Sequence, residues 1–172
     1  MAFDAKYLSC VLNEIREKCL GARVEKIHQP SRDCIILLLR CAQGREKLLF
    51  APNPAAPRLH LTTANPENPA EPPMFCMLLR KHLEEGRITK ITQSGLDRVV
   101  TMEISSIGSA RQIISKQLIF ELTGKNANII FVSEGVILDS LKHIGKALSS
   151  YRQILPGLAY IAPPPQDGLD IL

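Results

Sequence analysis

The sequence predicts an α+β fold that is mainly antiparallel sheet, arranged as a β-sandwich or barrel with two packed helices. Two segments have the apolar spacing of an amphipathic helix, and about nine short segments are typical of strands. The strands do not alternate with helices, as a parallel βαβ sheet would require. The 172 residues suffice for one domain with its own core, which we place at residues 1–165, with 166–172 as a tail.

The first predicted helix begins near Asp4, which can cap it, and ends before Gly21. Its apolar stripe is Leu8, Val11, Leu12, Ile15 and Cys19. A proline-rich stretch over 63–73 indicates an extended loop, and Pro73 suits the first turn of a second helix. That helix is expected to run from Met74 to Glu85. The residues predicted to face the core are Met74, Met77, Leu78 and Leu79.

Nine strands are expected in two groups, one on each side of the second helix. The first group is Val24–His28, Cys34–Arg40, Lys47–Phe50 and Arg58–Thr62. The second group is Ile88–Gln93, Val99–Ile104, Gln117–Leu122, Asn128–Val132 and Val136–Leu138. After Lys142 the apolar periodicity is lost.

Composition permits several functions and argues against others. The formal net charge of +4 is spread evenly, because residues 1–86 carry 12 basic and 10 acidic side chains and residues 87–172 carry 9 and 7. Such a mild excess allows nucleic-acid binding without predicting it. The five cysteines form no CxxC pair, so we expect reduced thiols and no metal. We see no secretory signal, and the longest apolar run, Ile35–Leu39, is too short to span a bilayer, so we expect a cytoplasmic protein with no membrane partner.

No catalytic motif is present. The sequence lacks a phosphate-binding glycine loop, a nucleophile elbow and a zinc-protease motif, and its four histidines are scattered. We therefore expect no catalytic residue and no cofactor. Taken alone, these residue patterns support only an α+β domain.

Three stretches together resemble a known family. They are residues 71–88, which read EPPMFCMLLRKHLEEGRI, then Gly95-Leu-Asp-Arg-Val99, and finally Gly124-Lys-Asn-Ala-Asn-Ile-Ile130 leading to Ile137-Leu-Asp-Ser-Leu-Lys142. With Phe3-Asp4 before them and Leu155-Pro-Gly after them, this order resembles the N-terminal domain of the NFACT family, also called fibronectin-binding protein A-like. The resemblance covers residues 2–165.

The resemblance implies a cytosolic role in ribosome-associated quality control. Family members bind the large ribosomal subunit that carries an obstructed peptidyl-tRNA and recruit tRNA, and bacterial members promote template-free addition of C-terminal alanine. The resemblance also implies a fold similar to the N-terminal domain of formamidopyrimidine-type DNA glycosylases. Those enzymes use an N-terminal proline as nucleophile, whereas this chain has Ala2, and no zinc finger follows. We therefore do not expect catalysis and keep a glycosylase-like nucleic-acid-binding domain as an alternative.

Asp97 and Arg98 match the family pair that is associated with tRNA binding. Arginine can stack on a base or make a bidentate hydrogen bond to a phosphate. A phosphate repels aspartate, so Asp97 would accept from base donors or hold the arginine in place. The alternative is a surface ion pair at a turn.

Four further residues are weaker candidates for nucleic-acid binding. Asp4 lies in the opening motif, although a plain helix cap explains it equally well. Arg80 and His82 lie on the second helix, and Lys125 and Asn126 lie at a glycine turn suited to phosphate contacts. For all of them the alternative is a solvated or capping role.

The rival class is a surface adhesin that binds fibronectin. The lack of a signal peptide and the odd number of cysteines argue against it.

Overall fold

The computed structural model describes residues 5–51, 58–93, 98–122, 127–145 and 152–163, which contain two helices and nine strands. The helices are α1 (Ala5–Cys19) and α2 (Met74–Leu83). The strands are β1 (Arg23–Ser31), β2 (Cys34–Cys41), β3 (Gly44–Ala51), β4 (Arg58–Thr62), β5 (Arg87–Gln93), β6 (Val99–Ile107), β7 (Ile113–Glu121), β8 (Asn128–Ser133) and β9 (Val136–Ser140). Every predicted element is present in the predicted order.

All nine strands belong to one antiparallel sheet, in the order β4-β3-β2-β1-β5-β6-β7-β8-β9. This confirms the α+β class. The sheet is open, because its edge strands β4 and β9 do not pair with each other in the described part of the chain, so the prediction of a barrel is wrong. The two sheets expected of a sandwich are the halves of one sheet, joined between β1 and β5 through the single pair Arg23 and Arg87.

The sheet folds over at this narrow junction. The rings of Phe50 on β3 and Phe120 on β7 lie 5.0 Å apart between centroids. Five strand spacings separate β3 from β7, so in a flat sheet the two residues would be about 24 Å apart. The two halves therefore face each other across a shared core, with α1 packed on β2, β4 and β5 and α2 packed on β1 and β6.

The buried face of α1 is the predicted one, whereas that of α2 was predicted only in part, since Leu79 is buried and Leu78 packs against the core as expected. Phe75, Cys76, Leu79 and Leu83 are buried, while Met74 and Met77 are 85% and 54% exposed, so their predicted core positions are wrong. Two side chains fix the rotation of α2, because Cys76 Sγ and Arg80 Nε both donate to the carbonyl oxygen of Ile27.

The sequence showed no periodicity in residues 152–161. In the structure they cover the outer face of the second half of the sheet. Ile154 packs there with a cluster of strand residues, which are Val99, Ile119, Ile130, Val132 and Ile137. Beside it, the fully buried carboxylate of Glu121 accepts hydrogen bonds from both Nη atoms of Arg152 and from the hydroxyl of Tyr160. This polar cluster fastens the segment to β7.

Neither described helix has the length and apolar character needed to cross a membrane.

Candidate nucleic-acid interface

The pairing register brings several strand termini to one end of the sheet. Val99 pairs with Glu121, and Glu121 pairs with Asn128, so β6 begins where β7 ends and β8 begins. The amide of Leu122 donates to the carbonyl of Arg98 at 2.8 Å, which closes this end. We call it the strand end, defined by Gln93, Arg98, Leu122, Asn128 and Lys142.

The other elements reach the strand end through side-chain hydrogen bonds. Ser9 Oγ of α1 donates to Oε1 of Gln93, the last residue of β5, at 2.9 Å. Asn128 is buried, donates through Nδ2 to the Lys142 carbonyl at 2.9 Å and accepts at Oδ1 from the Lys142 amide at 2.9 Å. Ser140 Oγ donates to the same carbonyl at 2.8 Å. Asn128 thereby holds the chain that follows β9 against the start of β8.

Arg98 is the one predicted site residue that the described part of the chain places at the strand end, where its side chain is half-buried. Asp4, Asp97, Lys125 and Asn126 lie outside the described residues. The described neighbours of the last three are at this end, since Arg98 follows Asp97, and Leu122 and Ala127 flank the segment 123–126.

Arg80 and His82 lie further along α2, about 9 Å and about 12 Å from its first residue. Arg80 is half-buried and fastens α2 to β1, donating from Nε to the Ile27 carbonyl at 2.7 Å and from Nη2 to Nδ1 of His28 at 3.2 Å. Burial, and next to it the Arg80 guanidinium, lowers the pKa of His28, which keeps Nδ1 available as an acceptor. The His82 ring packs 5.6 Å from that of Phe131, and burial followed by the charge of Lys116 lowers the pKa of His82.

A cleft of about 550 Å³ opens between the β1–β2 turn, the start of α2 and the residues after β9. The first helical bond runs from the Met77 amide to the Pro73 carbonyl, so the three preceding amides have no helical acceptor, and Pro73 has no side chain that could cap them. Such a helix start favours anions. Arg32 and Lys142 also line the cleft, while Asp33 opposes a negative ligand.

Gln29 lines the same cleft and has an unusual environment. It is only 5% exposed, its Nε2 donates to the Arg32 carbonyl at a long 3.4 Å, and its Oε1 has no hydrogen-bond partner among the residues that the structure describes. An unpaired buried acceptor destabilises a fold. Sequence reasoning missed this residue because a single glutamine in a partly alternating strand carries no signal.

We expect Gln29→Met to stabilise the fold by about 1 kcal/mol, because it removes an unsatisfied acceptor at similar volume and loses only one long hydrogen bond. For a chain of this size the Tm should rise by about 2–4 °C. The matched control is Gln29→Glu, which buries a charge in the same place and should lower the Tm. A Tm that falls in Gln29→Met would contradict the absence of a partner for Oε1.

No group of three or more His, Cys, Asp or Glu side chains in the described ranges could hold a metal ion. Arginine, lysine and the first backbone amides of α2 lie at the strand end and the cleft beside apolar side chains, an arrangement that suits an anionic ligand.

Comparison with known families identifies the chain. The family model described as NFACT N-terminal and middle domains matches residues 4–172. The chain belongs to this NFACT family. Its relatives include the Rqc2 homolog RqcH of Bacillus subtilis, 42% identical over 174 residues, which span all of this chain and 30% of that protein. The human ribosome quality control complex subunit NEMF is 28% identical over 140 residues, which span 81% of this chain and 12% of NEMF.

Solved structures support the same family. The N-terminal domain of fibronectin-binding protein PavA from Streptococcus pneumoniae matches with a TM-score of 0.91 and 37% identity, over 95% of this chain and 62% of that one. Relatives of this NFACT chain are thus named as ribosome quality control factors. The chain spans about a third of the length of the Bacillus subtilis relative.

Proposed function

We propose that this chain is the tRNA-binding N-terminal part of a cytoplasmic ribosome quality control factor. The full-length protein would bind the large ribosomal subunit with its obstructed peptidyl-tRNA and recruit tRNA for template-free C-terminal alanine tailing. Within it, this domain acts as a binding module without catalytic residues or a cofactor.

The observation that carries the proposal is the position of Arg98. It lies at the strand end, among the termini of β5 to β8. Arg98 directly follows Asp97 in the sequence, and its carbonyl accepts from the amide of Leu122, the last described residue before the segment that contains Lys125 and Asn126. In this proposal Arg98 stacks on a base or makes a bidentate hydrogen bond to a phosphate. Asp97 accepts a hydrogen bond from a base or orients the guanidinium. Lys125 and Asn126 contact phosphates, and Asp4 lies before α1, whose Ser9 contacts Gln93.

Salt-dependent binding tests the proposal directly. The chain is titrated with tRNA and with duplex DNA of similar length at several salt concentrations. We expect tRNA to bind more tightly than DNA at every salt concentration, because base contacts add to the phosphate contacts that both ligands share. Equal affinity for both would mean that the domain recognises charge alone.

A fibronectin-binding adhesin is the second candidate, and the name of the PavA structure favours it. The two functions differ in where the full-length protein is found. Cofractionation with large ribosomal subunits supports the quality control role, whereas labelling at the surface of intact cells supports the adhesin. The likeness to DNA glycosylases stays a prediction.

A further inference from the structure

Four arginines form a row across neighbouring strands, far from the strand end. Arg45 on β3 pairs with Arg40 on β2, Arg40 pairs with Arg23 on β1, and Arg23 pairs with Arg87 on β5. Residues directly opposite each other in a sheet point to the same face. All four side chains are exposed, and the row spans about 14 Å. It crosses the junction at which the sheet folds over.

The row lies at the opposite end of the sheet from Arg98. Arg87 begins β5, and Gln93 ends the same strand at the strand end, so about 20 Å separates the two. A groove of about 370 Å³ beside the row is lined by Arg23, Arg40 and Arg87 together with Leu20 and Gly21.

Acidic side chains balance only part of this charge. Glu25 accepts from Arg45 Nε at 2.9 Å and lies 3.7 Å from Arg40, so one carboxylate serves two guanidinium groups. Glu85 lies 3.6 Å from Arg23. Arg87 donates from Nη1 to the Gly21 carbonyl at 2.9 Å, a neutral partner. Counted over the described residues, four positive and two negative charges leave a net excess of two, carried chiefly by Arg40 and Arg87.

We propose that this arginine row, Arg45-Arg40-Arg23-Arg87, is a second nucleic-acid surface that binds the sugar–phosphate backbone of single-stranded RNA. Like charges placed directly opposite destabilise a sheet, so the row costs stability that bound phosphates would restore. Arginine presents the planar fork that suits phosphate, and all four positions carry arginine rather than lysine. A row at regular strand spacing fits a repeating polyanion better than a single charged ligand.

The inference does not depend on tRNA recognition at the strand end. It gives the domain two RNA surfaces at opposite ends, so that one RNA bound at the strand end leaves the arginine row available for another RNA strand.

The test compares two double variants that each remove two positive charges. Arg40→Gln with Arg87→Gln removes the arginine that shares Glu25 with Arg45 and the arginine that bonds to a neutral carbonyl. It leaves Arg45 with Glu25 and Arg23 with Glu85. The control is Arg58→Gln with Arg111→Gln, which changes exposed arginines on β4 and at the β6–β7 turn. Binding of a fluorescein-labelled mixed-sequence RNA of about 20 nucleotides is measured by anisotropy against salt concentration.

We expect the row variant to bind roughly tenfold more weakly and to lower the slope of log K against log salt by about 1.4, which corresponds to two lost phosphate contacts at about 0.7 each. Its Tm should stay the same or rise, because all three repulsive pairs of the row are gone. The control variant should keep most of the affinity and slope.

Three results would overturn the inference. One is an equal loss in the control variant, which would mean a diffuse charge effect. Another is a poly-glutamate peptide that binds as tightly as the RNA and loses the same affinity in the row variant, which would assign the surface to an acidic protein. The third is an unchanged slope in the row variant. An Arg98→Ala variant is measured alongside with tRNA. If it loses tRNA affinity while one of these three results is found, the inference about the arginine row fails and tRNA recognition at the strand end does not.

Discussion

Replacing Asp97 and Arg98 together by alanine is expected to abolish the proposed template-free tail synthesis by the full-length protein while leaving its Tm almost unchanged. Charge interactions near a protein surface contribute about 0–1 kcal/mol to stability, whereas one good base contact contributes about 1–3 kcal/mol to binding. The affinity of the domain for tRNA should therefore fall by roughly 5- to 150-fold.

The single variant Asp97→Ala separates recognition from attraction. If tRNA were held by charge alone, removal of an acid would tighten binding, because it raises the net positive charge. We expect weaker binding instead, since Asp97 would accept from a base or orient Arg98. The matched control is Glu17→Ala, which removes an exposed acid from α1, outside the cleft and the strand end. Tighter tRNA binding by a folded Asp97→Ala variant would show that Asp97 does not contribute to RNA recognition.

The largest effect on stability is expected from Arg152→Met. Glu121 is fully buried, and both of its oxygens accept from Arg152. Burial and the Glu121 carboxylate raise the pKa of Tyr160, so its hydroxyl stays a donor to that carboxylate at 2.6 Å. Removing the arginine leaves a buried charge without its cation, at a cost of about 3–5 kcal/mol. The Tm should fall by roughly 6–20 °C.

The double variant Glu121→Gln with Arg152→Met is the control for this prediction. The amide carries no charge and still accepts from Tyr160, so most of the lost stability should return. A single Arg152→Met variant as stable as the natural sequence would mean that the cluster does not fasten residues 152–161 to β7.

The sequence predicted the elements well because their apolar patterns are local. The stripe from Leu8 to Cys19 on α1 and the apolar strand Cys34–Cys41 lie where periodicity put them. The rotation of α2 could not be predicted, because two contacts with Ile27 from a distant strand decide it. The β6–β7 hairpin also extends beyond its prediction, since Ile107 and Ile113 at its tip are exposed and break the expected pattern.

Long-range relations were harder to predict from the sequence. The fold of the sheet at Arg23 and Arg87 depends on pairing between strands far apart in the chain. The unpaired acceptor of Gln29 and the arginine row appear only once register is known. For the interface, the motifs nominated Arg98, which directly precedes β6, and its role in binding stays a prediction. The hydrogen bonds by which Asn128 holds Lys142 could not be predicted, because the motif shows Asn128 only as one of its residues.

The most direct test of tRNA recognition at the strand end is an amide chemical-shift map of the isotope-labelled chain titrated with tRNA. We expect the largest changes at Gln93, Arg98, Leu122 and Lys142, with small changes at Ile107 and Ile113 on the β6–β7 tip. Changes concentrated at that tip, or spread evenly over all exposed basic residues, would contradict recognition at the strand end.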